Sequence, residues 1–174
     1  MLTIRPATLA DVPAITAIYN EAVRDTTASY DLEPVSVASR EAWFEQHARD
    51  GHAVLVAVDA EAGVVGWGSL STFRAKPGYR FTVENSVYVT AAMRGRGVGG
   101  RLLDALIEAA RAGGYHVVVA GVDSANAASV KLHAARGFVE VGHMREIGRK
   151  FDRWLDVTFL QLMLTPSDQV PIER

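Results

Sequence analysis

Cysteine is absent from the 174 residues. That excludes a disulfide framework, a thiolate metal site and a cysteine nucleophile. Long apolar runs are missing too: no stretch approaches the ~18 consecutive apolar residues of a membrane helix. The opening Met1-Leu2-Thr3-Ile4-Arg5-Pro6 has no apolar core of the kind a signal peptide carries. A cytoplasmic protein with no membrane partner is expected. Charge of one sign is not in excess, since 18 Lys and Arg face 20 Asp and Glu for a net charge of −2. Such a balance lacks the positive potential of a general nucleic-acid binder. Metal-ligand spacing is lacking among His47, His52, His116 and His143, so no metal is expected. No nucleophile triad, internal repeat or low-complexity stretch is present.

What is there is globular in character: 49% apolar and 22% charged residues, in a length that suits one domain with a substantial core. We expect that domain over residues 1–164 and a tail, with two prolines, over 165–174. The chain is organised around residues 83–113. Val83-Glu84-Asn85-Ser86-Val87-Tyr88-Val89 alternates as a half-buried strand does, and Leu102, Leu103, Leu106, Ile107 and Ala110 form the stripe of a helix over 101–113. Between them stand two arginines and four glycines, Arg94-Gly95-Arg96-Gly97-Val98-Gly99-Gly100. A glycine-rich turn opening a helix offers unpaired N–H groups and a favourable dipole to an anion. Arginine adds charge, and glycine permits close approach. A pyrophosphate is the expected guest.

The remaining elements follow from punctuation and period. Residues 2–7 read as an edge strand closed by Pro6. Thr8 or Asp11 caps a helix with the stripe Val12, Ile15, Ile18, Tyr19 and Ala22, and residues 25–34 form a polar loop. Ser36 or Ser39 starts a second helix that ends near Gly51. Strands are expected over 53–58 and 64–73 around a turn at 59–63, with the glycines of Gly66-Trp67-Gly68 suggesting a twist or bulge. A basic turn at 74–78 then leads into a strand over 79–89. Residues 116–122 are apolar on both faces, as a covered central strand is. Asn126 caps a helix reaching Arg136 and stopped by Gly137. Two closing strands, 138–144 and 154–164, flank a charged connection at 145–153. The order is β-α-α-β-β-β-α-β-α-β-β, an α/β fold with a mixed, mostly antiparallel sheet flanked by helices.

Two fingerprints compete for the glycine turn. Gly95-x-Gly97-x-x-Gly100 matches the dinucleotide-binding spacing, with Asp123 about 20 residues on. There the glycines follow the strand directly, whereas here residues 90–94 intervene, and only 74 residues follow Gly100. The alternative, Arg94-x-x-Gly97-x-Gly99 after Val87-Tyr88-Val89, resembles the acetyl-coenzyme A signature of the GCN5-related N-acetyltransferases. The resemblance extends over roughly residues 4–164, through Thr82–Val89, Asn126-Ala127-Ala128-Ser129-Val130-Lys131-Leu132-His133, Arg136-Gly137-Phe138, Gly148-Arg149-Lys150-Phe151 and Trp154-Leu155-Asp156. It is similar to the phosphinothricin and methionine sulfoximine acetyltransferase subgroup in particular.

Each position also has a plain reading. Backbone amides over Arg94, Gly95, Arg96, Gly97, Val98 and Gly99 suit a pyrophosphate, and the backbone of Val87, Tyr88 and Val89 suits pantetheine amides and a thioester oxygen. Glu84, out of phase with Val83, is either a solvated strand glutamate or the base that takes a proton from an amine; the resemblance implies the base. His133 shares a helix face with Asn126 and either Ser129 or Val130. The resemblance implies a proton donor or binding residue there, against the commoner fate of a lone histidine. Asn126 and Ser129 are helix-start residues, cofactor contacts or both. Arg74 and Arg80 suit a substrate carboxylate through their planar forks, with Arg80 preferred and Tyr30 and Phe73 as walls. Trp154 is either a core residue or part of the substrate pocket.

What this implies is an acetyl-CoA-dependent N-acetyltransferase acting on the amine of a small amino-acid-like molecule by direct attack in a ternary complex. The alternatives are a protein or peptide N-terminus as acceptor, or a non-catalytic coenzyme A sensor. A homodimer is implied by the resemblance.

Overall fold

The computed structural model describes residues 1–164, and the expected tail at 165–174 lies outside them. The observed elements are β1 (Leu2–Pro6), α1 (Val12–Asp25), α2 (Val37–Arg49), β2 (Val54–Asp59), β3 (Gly63–Thr72), β4 (Thr82–Val89), α3 (Val98–Ala112), β5 (Val117–Asp123), α4 (Ala127–Ala134), β6 (Val139–Lys150) and β7 (Arg153–Met163). Their order is the expected one. They build one seven-stranded sheet in the order β1-β2-β3-β4-β5-β7-β6. Only β4 and β5 pair in parallel; the other neighbours are antiparallel.

Helix starts follow local chemistry. Before α1, Thr8 donates its N–H and its hydroxyl to Asp11 at 2.8 and 2.9 Å, and both oxygens of Asp11 accept from the Arg5 guanidinium at 2.7 and 2.8 Å. Those bonds hold the Asp11 carboxyl well below the usual carboxylate range. Ser36 caps α2 by accepting from the Ser39 N–H at 3.1 Å.

Each face of the sheet has its own core. Leu102, Leu103, Leu106 and Ala110 of α3 pack on Leu55, Ala57, Leu70, Val83, Val118 and Leu160. Ile15 and Ile18 of α1 meet Val54, Val56 and Trp67 on the other face. Each fully buried leucine contributes about 1.5–3 kcal/mol. The glycines of β3 let the helix lie close: a Cβ on Gly68 would stand 2.8 Å from Leu106 Cδ1 and 2.8 Å from the Ser86 carbonyl. The expected irregularity is also present, a register shift at Ala57/Val58 that leaves Val65 as the extra residue.

Three expected boundaries move. The strand expected from 79 begins at Thr82, because Pro77–Tyr79 forms a turn of 3₁₀ helix. Helix α3 begins at Val98, inside the glycine turn. The charged connection at 145–153 is mostly strand: β6 continues to Lys150 and returns through two residues, Phe151 and Asp152, both at positive φ. Such a turn matches the twist of the strands it joins. Trp154, one of whose readings was a core residue, is 61% exposed.

Candidate active site

Parallel strands β4 and β5 are in register only at Thr82–Val117, Val83–Val118 and Glu84–Val119. Beyond Glu84, β4 stays with β3 as far as Val89, while β5 stays with β7 as far as Asp123. Each strand keeps its outer ladder and loses its inner one, so the two part and a wedge opens between them. The inner edges are left with backbone donors and acceptors that no strand pairs. A cleft of about 1020 Å³ occupies this wedge, lined by Asn85–Val89, Ala120–Asp123, the glycine turn, α4, residues 25–30 and the β6–β7 hairpin.

At one end lies the N-terminus of α3. Its first helical bond runs from the Arg101 N–H to the Gly97 carbonyl at 3.1 Å, so the N–H groups of Val98, Gly99 and Gly100 precede any intrahelical acceptor. No acidic residue stands in the first turn and no side chain caps it. Gly95 and Gly97 adopt φ of 74° and 79°, with open space where a Cβ would be. The residues present therefore suit a pyrophosphate: free amides, a helix dipole and room for close approach. Arg94 holds this turn together instead of standing free. Its Nε donates to the Val89 carbonyl at 3.0 Å and its Nη2 to Glu21 at 3.1 Å, and Glu21 also accepts from Thr90 and Ala91. Arg96 does not line the cleft.

Glu84, Ser86 and Tyr88 alternate with the core-facing Val83, Asn85 and Val87. The Glu84 carboxylate has no hydrogen-bond partner among the described residues and faces Gly121, where an added Cβ would lie 3.3 Å from Oε1. Burial pushes its pKa up, opposed by the charge of Arg74. Asn126 accepts from the Ser129 N–H at 3.1 Å, and both line the cleft.

His133 is placed differently from a free proton donor. Only 3% exposed, it shares a 2.8 Å bond between Nδ1 and the Ser129 carbonyl and a 3.0 Å bond between Nε2 and Asn85 Nδ2. A carbonyl only accepts, so Nδ1 carries the proton and Nε2 accepts from the amide. Burial lowers the pKa of the ring, which agrees with this neutral form. Both nitrogens are occupied, and the arrangement orients Asn85.

Of the expected acceptor-site residues, Tyr30 lines the same cleft as Glu84, and the basic turn lines a second one. Arg80 stacks on Phe81 at 4.3 Å and lines, with Arg74 and Lys76, a separate cleft of about 290 Å³. Phe73 packs edge-on against Tyr79 and lines neither cleft. The turn at 77–79 precedes β4 at the end that carries Glu84, opposite the glycine turn, and the charge of Arg74 acts on Glu84 from there. In their place the hairpin supplies Phe151, Arg153, Val157 and Phe159, and the loop after α1 supplies Thr27 and Ser29. That loop is fastened at several points. Lys150 Nζ donates to the Ser29 carbonyl at 2.7 Å, Thr27 donates to Asp123, and the Tyr30 ring lies on Gly148.

The sequence profile of the acetyltransferase (GNAT) family matches residues 15–138. The chain is 52% identical over 169 residues to the L-methionine sulfoximine/L-methionine sulfone acetyltransferase of Pseudomonas aeruginosa, covering 97% of this chain and 98% of that one. It is 40% identical to the phosphinothricin N-acetyltransferase of Streptomyces coelicolor, over 91% of this chain and 94% of that one. Among solved structures, yncA from Salmonella typhimurium with its cofactor acetyl-CoA superposes with a TM-score of 0.94 at 44% identity, covering 98% of each chain.

Proposed function

Since the chain belongs to the acetyltransferase (GNAT) family, and is an acetyl-CoA-dependent N-acetyltransferase, we propose that its acceptor is the primary amine of a small amino-acid-like molecule. Methionine sulfone, methionine sulfoximine and phosphinothricin, named for its relatives, are the acceptors to try. One observation carries the reading. The wedge joins an anion-binding helix terminus, an unpaired β-strand edge and a carboxylate without a hydrogen-bond partner.

In this reading the amides of Gly95 to Gly100 hold the pyrophosphate, and the open edge of β4 over Val87 to Val89 pairs with the pantetheine amides as an added strand would. Acetyl-CoA supplies an activated acetyl thioester. A β4 N–H directed at the thioester oxygen stabilises the negative charge that develops there. Glu84 accepts the proton of the attacking amine, directly or through one water. The nitrogen lone pair forms the new C–N bond, the C–S bond breaks, and the proton released by nitrogen ends on the departing sulfur. His133 has no proton to spare in its neutral form and serves to position Asn85 beside the cleft. We assign one domain to residues 1–164. The reaction is placed in the cytoplasm, and a homodimer is proposed through the edge strand β6, which exposes Val139, Val141, Met144 and Ile147.

The test is free-thiol release from acetyl-CoA against a panel of amino acids, their analogues, polyamines and short peptides. Turnover is expected with the small amino-acid analogues. Glu84→Gln should lower kcat by about 10²-fold or more while calorimetric affinity for acetyl-CoA holds. Equal loss of both would make Glu84 structural, and turnover confined to peptides would replace the acceptor.

A further inference from the structure

Spacing along the chain announces no nucleophile triad, yet the sheet assembles the parts of one outside the cleft. Strands β5, β7 and β6 are neighbours, and their register sets Val122 beside Thr158 and Thr158 beside His143. Side chains two residues apart on a strand share a face. Ser124, two past Val122, and Asp156, two before Thr158, therefore join the same side. Asp156 Oδ2 lies 3.2 Å from His143 Nε2. The Ser124 hydroxyl lies 3.4 Å from His143 Nδ1 and 2.8 Å from the Thr158 hydroxyl. A carboxylate only accepts, so in the neutral ring Nε2 carries the proton and Nδ1 offers its lone pair to a hydroxyl. None of these four residues lines the cleft that holds Glu84.

Backbone geometry orients the carboxylate. Strand β6 loses register between Met144 and Gly148, so residues 145–147 bulge opposite Asp156. There the Glu146 N–H, at a residue with φ of 53°, donates to Asp156 Oδ1 at 2.8 Å. That bond, with the His143 ring adding to it, holds the carboxyl below its ordinary range. The His143 and Asp156 side chains are 40% and 36% exposed, and Ser124 is half-buried, whereas Thr158 is buried. A small molecule can therefore reach the serine and the imidazole. The amides beside Ser124 are already spent: its own N–H on the Asp156 carbonyl, that of Ala125 on the Asp123 carboxylate and that of Asn126 on the Asp123 carbonyl. With none of these left to hold an oxyanion, an acyl donor must bring its own good leaving group. We infer that Ser124 is a second nucleophile, with His143 as its base and Asp156 as the residue that positions the ring, and that it hydrolyses activated esters of small carboxylic acids. Ser124 Oγ bonds to the carbonyl carbon as its proton passes to Nδ1; the C–O bond to the leaving group breaks, and that oxygen takes the proton. Water then attacks the acyl-serine, giving its proton to Nδ1, and the acid departs as the Ser124 oxygen recovers that proton.

The experiment follows p-nitrophenol release from p-nitrophenyl acetate by the wild type and by Ser124→Ala, His143→Gln, Asp156→Asn and Thr158→Val. Ser124→Ala and His143→Gln should each lower kcat/KM by about 10²-fold or more, while calorimetric affinity for acetyl-CoA holds. Asp156→Asn keeps an acceptor for the Glu146 amide but turns an N–H toward Nε2, which forces the proton onto Nδ1; it should lose rate by a similar factor. Thr158→Val should retain the hydrolysis, and saturating coenzyme A should leave it unchanged. A fluorophosphonate should label the Ser124 peptide of the wild type, read by mass spectrometry, and should fail to label it in His143→Gln. Hydrolysis that survives Ser124→Ala but fails in His143→Gln belongs to the imidazole alone. Hydrolysis blocked by coenzyme A belongs to the large cleft, and loss in Thr158→Val with Ser124→Ala intact puts the nucleophile on Thr158. Each of these results, or a wild type no faster than buffer, overturns the inference and leaves acetyl transfer from acetyl-CoA standing.

Discussion

Gly148→Ala should strike the acceptor half of the site through one methyl group. Gly148 lies on β6 opposite Leu155, beneath the Tyr30 ring. A Cβ there would stand 2.6 Å from Tyr30 Cδ2 and 3.3 Å from Cζ, where carbon contacts prefer about 3.5–4.0 Å. The ring must therefore retreat by about 1 Å. It is not free to do so, because the preceding residue, Ser29, is pinned by Lys150 at 2.7 Å. The Tyr30 hydroxyl, already 3.4 Å from the Asp156 carbonyl, would lose that contact. Overpacking of this kind costs about 1–3 kcal/mol. A loss of about 2 kcal/mol lowers the Tm of a domain this size by roughly 4–8 °C. Differential scanning calorimetry reads the stability, and thiol release reads the acceptor KM, which should rise while the acetyl-CoA KM holds. Tyr30→Ala should cost less in the Gly148→Ala background than alone, since the clash goes with the ring. Additive losses, or a Tm within 1 °C of wild type, would refute the packing of Tyr30 on this strand.

Glu84 should give the acid limb of the rate profile. As a base it works deprotonated, so kcat/KM should rise with pH through a pKa that burial holds above the ordinary carboxylate range; Arg74→Ala, which removes an opposing charge, should move that limb to higher pH. The same raised pKa means that the fold prefers the neutral carboxyl, a preference lost as pH rises past it, so Glu84→Gln should melt no lower than wild type at neutral pH. Gly97→Ala should cost about 1–2 kcal/mol from left-handed backbone alone, because its Cβ meets nothing within 4 Å, and should raise the acetyl-CoA KM. Gly51→Ala, equally open at φ 71° but not part of the cleft lining, should show the stability loss without the KM change.

The elements that sequence reasoning placed well are those whose cause is local. The stripe of α3, the cap at Asn126 and the glycines at the helix start each act within a few residues of themselves. The β6–β7 hairpin is the contrary case. Strand β6 is an edge exposed along most of its length, so its charges at 145–150 carry no alternation to read, and Phe151-Asp152 is not one of the dipeptides that announce a tight turn. Hiding the hairpin hid Phe151 and Arg153 as part of the cleft lining. His133 lies on the helix that its spacing from Asn126 implies. What no spacing could tell is that its Nδ1 is consumed by the Ser129 carbonyl one turn back and its Nε2 by Asn85 from another strand.

The two halves of the cleft consequently differ in how they are built. In the proposed reading the donor half rests mainly on one continuous stretch, strand, glycine turn and helix from Thr82 to Ala112, with Asn126 and Ser129 beside it, and its anion-binding geometry follows from backbone conformation. The acceptor half joins residues 27–30 to Asp123 and to the hairpin at 148–159 through Lys150–Ser29, Thr27–Asp123 and Tyr30–Gly148, contacts that span about a hundred residues of chain. Side-chain changes in that half shift its walls without touching the helix terminus. Acceptor range can therefore vary while the donor stays the same, and the kinetic signature of the two halves should separate: substitutions at 27–30 and 148–159 in the acceptor KM, substitutions at 95–99 in the donor KM.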